Sequence, residues 1–264
     1  LKSKLPVAHL VLNTGNGNIL SNILAKNGIK FKTANIDVKS SPIEGLNGGA
    51  IIDSLVYKDY TIDSLNLVLK SQDNKLNYNL ALLTDAQNSY PYKGYVDGTF
   101  YEKGSPAAVK ILDTSEGTAI DLGLRAAMHG EGIMSSFTTQ QSILGYKKFD
   151  VNDANYVYIG KDRRISANVK LLATDGAGAE IYTDDEDSTS LQNITLGMHN
   201  FELGKLMTVL PFAPKISGTL NGDYHVIQTK NELTVASDMS VKNMIYDDCP
   251  MGNVGTNFVY IPKG

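Results

Sequence analysis

Leu65-Asn66-Leu67-Val68-Leu69-Lys70, then Asp73-Asn74, then Leu76-Asn77-Tyr78-Asn79-Leu80-Ala81-Leu82 is the stretch that decides the fold class. On extended backbone successive side chains point to opposite sides, so Leu65, Leu67 and Leu69 share one face and Leu76, Tyr78, Leu80 and Leu82 share another. Asp73 and Asn74 tolerate left-handed backbone and stand where a tight turn is needed. A hairpin with one apolar and one polar face is predicted.

The same period of two recurs outward from this hairpin. It is present at Ile29-Phe31, Ile36-Val38, Ile120-Leu122-Leu124, Ile165-Ala167-Val169-Leu171, Ile194-Leu196-Met198 and Leu233-Val235. The pairs Asn27-Gly28, Asn47-Gly48, Asp97-Gly98, Asp175-Gly176 and Asn221-Gly222 are expected to be hairpin turns, because glycine adopts positive φ freely. Helix is scarce. Asn18 to Lys26 fits two turns with Asn18 or Ser21 as cap and Gly28 as stop, and Phe201 to Leu210 fits a short amphipathic helix ended by Pro211. The fold class expected is all-β, with one or two short helices.

Composition sets outer bounds. The 264 residues are 42% hydrophobic and 20% charged, enough for a sizeable core in one large domain or two ordinary ones. A net charge of −4 argues against nucleic acid and against an anionic membrane surface as partners. No apolar run reaches about eighteen residues, so no segment is expected to span a bilayer as a helix. No signal peptide is visible, and Leu1 to Leu5 reads as an internal start, with any anchor expected outside the sequence. Cys249 is the only cysteine, which excludes a disulfide framework and a cysteine-rich metal site. Beside Pro250, it is expected to be a small half-buried residue.

Catalytic and metal motifs do not emerge. His9, His129, His199 and His225 lack a second histidine or carboxylate at ligand spacing, and His199 and His225 are expected on strands, facing solvent. Asp184-Asp185-Glu186-Asp187 lacks the alternation of a calcium loop and reads as a solvated hairpin tip. No serine stands in Gly-x-Ser-x-Gly. Asn13 to Asn18 is glycine-rich but has no lysine for phosphate, so it reads as a turn. Lys161-Asp162-Arg163-Arg164 reads as a charged turn without an aromatic ladder beside it. An enzyme acting on polysaccharide would want Asp, Lys or Arg clustered on one face, and no such cluster is legible. No enzyme activity and no cofactor are expected.

Gly94-Tyr95-Val96-Asp97-Gly98 is echoed by Gly218-Thr219-Leu220-Asn221-Gly222 and more loosely by Ile43 to Gly48, and Ile62 to Leu67 by Leu191 to Leu196. Stacked hairpin repeats would give an elongated sheet, although a glycine-rich β protein produces such echoes by composition alone. Residues 1-264 are expected to form a single elongated β-rich segment of a larger protein. The best internal boundary is the acidic loop near 183-190.

From Ile143 onward the sequence resembles the AsmA-like and TamB family of envelope proteins. Ile143 to Val151, Ile165 to Leu171 and Leu191 to Leu196 carry the likeness. They are followed by the helix Phe201 to Leu210, the run Leu210-Pro211-Phe212-Ala213-Pro214-Lys215-Ile216-Ser217-Gly218-Thr219-Leu220-Asn221-Gly222, Tyr246, and Pro250-Met251-Gly252. The likeness is strongest over residues 143-262. It implies a curved antiparallel sheet, a half-pipe or taco with an apolar inner surface. The implied role is non-catalytic lipid transfer or outer-membrane biogenesis, in the periplasm of a Gram-negative envelope, with the full-length protein anchored in the inner membrane. The implied partner is a phospholipid or other acyl lipid. An alternative is an interaction module that helps outer-membrane β-barrel proteins assemble, its sheet edge pairing with their strands.

A sixteen-carbon chain costs on the order of 12 kcal/mol to expose to water, at about 0.8 kcal/mol per CH₂. A groove lined by aliphatic side chains removes most of that cost. The candidate lining is Leu65, Leu67, Leu69, Leu76, Tyr78, Leu80, Leu82, Ile120, Leu122, Leu124, Ile194 and Leu196. The competing expectation is that these residues fill a closed sandwich core. About twenty strands spaced roughly 4.8 Å apart would run on the order of 90 Å as an open sheet, and a sandwich nearer half that.

Overall fold

A computed structural model describes residues 5–57, 60–85, 87–88, 90–102, 104–184, 189–210 and 213–262. Antiparallel strands dominate, two short helices accompany them, and the sheet is not a closed barrel. The chain divides into two compact units, Leu1–Gly123 and Leu124–Gly264. The division falls inside a strand, and the acidic loop at 183-190 lies within the second unit, where residues 185–188 are outside the described residues.

The first unit is a meander. Its strands are β1 (Ala8–Gly15), the two-residue β2 (Ile29–Lys30), β3 (Thr33–Ser41), β4 (Gly45–Tyr57), β5 (Tyr60–Gln72), β6 (Lys75–Leu83), β7 (Tyr92–Phe100) and β8 (Ser105–Asp113). The ladders run β1, β3, β4, β5, β6, β7, β8, all antiparallel, with β2 on the far end of β4. The predicted hairpin is β5–β6, with Asp73 and Asn74 at φ 51° and 62° in its turn. Helix α1 (Ile19–Lys26) is capped as expected. The Asn18 side chain accepts from the Ser21 N–H at 2.9 Å, and the Ser21 hydroxyl accepts from the Asn18 N–H at 2.9 Å.

Strand β9 (Thr118–His129) crosses the division. The second unit continues with β10 (Gly132–Phe137), β11 (Gln141–Leu144), β12 (Lys147–Val151), β13 (Tyr156–Ile159), β14 (Ile165–Leu172), β15 (Gly178–Thr183), β16 (Gln192–Glu202), β17 (Ile216–Gln228), β18 (Leu233–Tyr246) and β19 (Cys249–Tyr260). The far half of β9 pairs with β10, which pairs with β13, and β13 to β19 follow in sequence order. The β11–β12 hairpin joins the sheet where β12 meets the end of β14. Helix α2 (Leu203–Val209) is inserted between β16 and β17.

The dense core belongs to this second unit. Phe149, Val151, Leu171, Ala173, Ala177, Phe201 and Leu203 are buried together, and Leu206 and Met207 of α2 pack on them. The Phe149 and Phe201 rings stack with centroids 5.8 Å apart. Gly145, at φ 57°, lets the β11–β12 turn approach α2 so closely that a Cβ there would lie 2.8 Å from the Leu206 nitrogen.

Only two of the five expected glycine turns are turns. Asp175-Gly176 joins β14 to β15, and Asn27-Gly28 closes α1. Asn47-Gly48, Asp97-Gly98 and Asn221-Gly222 lie inside β4, β7 and β17. The reason is close approach rather than chain reversal. A Cβ on Gly48 would lie 2.8 Å from the Cα of Val38, one on Gly222 would lie 2.7 Å from the Cα of Met239, and one on Gly98 would occupy the Tyr78 ring.

Three other expectations change. Asn13 to Gly15 ends β1 rather than forming a turn, and Asn18 is the helix cap. His225 is half-buried, its Nδ1 3.0 Å from the Thr195 hydroxyl, whereas His199 is exposed beside Glu180. Cys249 is exposed, like every other residue of β19. Pro211 and Phe212 lie outside the described residues.

Candidate functional site

Residues directly opposite across an antiparallel ladder point to the same side of the sheet. Following the register across the first unit therefore gives its faces without ambiguity. One row reads Leu12, Ile36, Ala50, Leu67, Leu80, Val96, Val109. The rows on either side read Thr14, Ala34, Ile52, Leu65, Leu82, Gly94, Ile111 and Leu10, Val38, Gly48, Leu69, Tyr78, Gly98, Ala107. None of these side chains is charged. Leu76 extends the face opposite Ser71 and Phe100.

The reverse side is polar. Val11, Asp37, Gly49, Val68, Asn79, Asp97 and Ala108 form one row, and His9, Lys39, Asn47, Lys70, Asn77 and Thr99 another. Its side chains bond across the strands: Asn79 donates to Asp97, and the Thr99 hydroxyl donates to Asn77 at 2.8 Å. The two sides thus differ as a half-covered sheet requires.

On the apolar side of the first unit most of the described side chains are only partly covered. No hydrophobic side chain of β4, β5, β6 or β8 is buried among the described residues. Leu65, Leu67, Leu69, Leu76, Tyr78, Leu80 and Leu82 are all half-buried. Helix α1 sits beside β2. One end is closed locally: Tyr92 is buried, and Asp63 accepts from the Asp85 N–H and the Asn88 amide, both at 2.9 Å, which draws in the chain that follows β6.

The second unit repeats the arrangement with a partial cover. Its apolar rows include Val169, Ile181, Leu196, Tyr224, Ser237, Phe258 and, next to it, Leu171, Ala179, Met198, Gly222, Met239, Thr256. Ile194 lies opposite Val226 on the same side, and the ladder through Phe137, Ser135 and Val157 places Leu124 there as well. Helix α2 and the β11–β12 hairpin cover the end at Leu171 and Phe201. Ile194, Leu196 and Leu124 lie beyond that cover and are half-buried.

Seven of the expected lining residues therefore share one face of the first unit, and Leu124, Ile194 and Leu196 share one face of the second. Ile120 and Leu122 alternate with Leu124 along β9, where Ile120 is 4% exposed and packed like core while Leu122 is half-buried. Ala50, Ile52, Val96, Val109 and Ile111 belong to the first face but were not singled out from the sequence. The signal was diluted because β4 and β7 alternate small residues, Gly48-Ala50 and Gly94-Gly98, with large ones.

Groups able to do chemistry are dispersed. Among the described residues no three His, Cys, Asp or Glu side chains gather closely enough to hold a metal. A polar hollow of about 780 Å³ lies in the second unit among Glu131, Lys161, Arg164 and Asp184, its charges partly paired as Lys161–Glu131 and Arg164–Asp162. No helix among the described residues is long and apolar enough to cross a membrane. Comparisons with protein-family models, with curated proteins and with solved structures returned no match to this chain.

Proposed function

We propose that the chain is a non-catalytic acyl-lipid carrier, an AsmA/TamB-like segment whose apolar sheet faces shield lipid tails from water. The observation that carries this is the uncharged three-row face of the first unit, on which the aliphatic side chains of β4 to β8 are half-buried rather than buried among the described residues. Soluble proteins rarely leave a contiguous apolar surface of more than a few hundred Å² uncovered unless something binds there. Side chains alone can hold an acyl chain on such a face, since the gain comes from removing CH₂ groups from water. The family likeness of residues 143-262 supplies the setting: phospholipid or another acyl lipid as ligand, the periplasm of a Gram-negative envelope as compartment, and an inner-membrane anchor on the full-length protein.

Mass spectrometry of an organic extract of the purified protein tests this reading, together with uptake of fluorescent phospholipid from vesicles. Bound acyl lipid is expected, and its loss in the Leu67→Asp, Leu80→Asp double variant with the β-sheet circular dichroism unchanged. Folded wild-type protein that neither carries nor takes up lipid overturns the proposal.

A further inference from the structure

We infer that the polar hollow of the second unit is a headgroup site for a phospholipid bearing a primary amine, of the phosphatidylethanolamine kind, whose tails lie on the adjoining apolar face. This assignment rests on the acyl-lipid reading of the sheet faces. Met128, Ile133, Ile159 and Ile165 stand opposite one another across β9, β10, β13 and β14. They form the last row of the face that carries Leu124, Val157 and Ala167, at the end away from α2. Met128, Ile133 and Ile159 are 66%, 49% and 49% exposed. Their exposure is not that of a sheet edge. Ile133 and Ile159 each have a ladder partner on either side, and both lie in the middle of the sequence.

The row runs into the hollow. Strand β15 ends at Thr183, and past that point the Gln192 amide takes the place of a strand beside β14. It accepts from the Ile165 N–H at 2.7 Å and donates to the Ile165 carbonyl at 2.6 Å. Ile165 and Gln192 both line the hollow, whose volume of about 780 Å³ is that of a small-molecule site. Its charges are of both signs. Lys161 lies 3.5 Å from Glu131 and Arg164 lies 3.3 Å from Asp162, while Asp184 lines the same space. Both ion pairs are exposed, and exposed pairs are weak enough to exchange partners. A headgroup with a phosphate and an ammonium replaces both kinds of partner at once. The phosphate takes Lys161 and Arg164, and the ammonium donates to Glu131 and Asp184. A purely anionic headgroup would set like charge against those carboxylates, and a trimethylated amine has no N–H to give them.

Uptake of tail-labelled phospholipid by the full chain from phosphatidylcholine vesicles tests the assignment. Phosphatidylethanolamine is expected to load about tenfold better than phosphatidylglycerol with the same tails. Lys161→Ala with Arg164→Ala should lower phosphatidylethanolamine uptake about tenfold. Glu131→Gln with Asp184→Asn should raise phosphatidylglycerol uptake and erase the preference. A photoactivatable group on the phosphatidylethanolamine headgroup should place its adducts within residues 129–132, 158–166 and 190–193 of the unsubstituted chain, a readout that no variant's folding affects. Equal loading of the two lipids, indifference to the loss of Lys161 and Arg164, or adducts confined to the first unit would each overturn the headgroup site and leave the carrier reading standing. A folded chain that takes up neither lipid overturns both.

Discussion

Leu67 stands directly opposite Leu80 across the β5–β6 ladder, and the pair is the middle of an apolar row that crosses seven strands. Both residues are half-buried although they lie at the centre of their sheet. Phe149, by contrast, is 2% exposed beneath α2 in the second unit. The two environments should respond differently to truncation. Leu67→Ala or Leu80→Ala should destabilise by only about 1 kcal/mol, since little area beyond that already open to solvent is lost. Phe149→Ala should cost about 3–5 kcal/mol, as for a cavity in a packed core. Chemical denaturation of the three variants checks this; equal losses would mean that the leucine face is covered.

Glycine inside strands provides a second test. Gly222→Ala, at φ 118° and against the Asp238 carbonyl, should destabilise by about 2 kcal/mol or more through backbone strain and collision. Gly176→Ala has a comparable φ of 82° but open space around it, and should cost about 1 kcal/mol. Equilibrium unfolding in urea measures the difference.

The N-terminal helix depends on its reciprocal cap. Asn18→Ala removes the acceptor for the Ser21 N–H and the donor to the Gly15 carbonyl at 2.8 Å. A loss of about 1 kcal/mol is expected, with earlier amide exchange in residues 19 to 22. Asn18→Asp should retain most of that stability.

Tyr90 should report on the closed end of the first sheet. Burial, and then the neighbouring Tyr92 and Tyr60, push its hydroxyl up to about 12. The folded state therefore holds this proton more tightly than the unfolded chain, whose tyrosines titrate near 10. The stabilisation is complete below pH 10 and is lost as pH rises from 10 towards 12. Phenolate absorbance should show a late-titrating tyrosine that disappears in Tyr90→Phe, and that variant should lose less stability over the same interval.

Legibility followed the range of the forces involved. The β5–β6 hairpin, the Asn18 cap and the α2 segment were readable because each depends on neighbours within a few positions. The alternation of Ile194, Leu196 and Met198 was readable for the same reason. Gly48, Gly98 and Gly222 were misread as turns because glycine next to Asn or Asp looks the same whether it reverses the chain or admits a partner strand. Cys249 was misplaced because its exposure depends on what lies over β19, which its neighbours in sequence do not specify.

What the amino-acid order determined by itself is parity: which side chains fall on which side of each strand, since alternation is a property of extended backbone alone. Which strands stand side by side was decided only in the tertiary structure, and with it the joining of Leu12, Ile36, Ala50, Leu67, Leu80, Val96 and Val109 into one row. So was the cover: α2 and the β11–β12 hairpin close over Phe149 and Phe201, while Leu67 and Leu80 stay half-open. Ladder order and burial come from contacts between residues far apart in the chain, and local pattern carries no record of them.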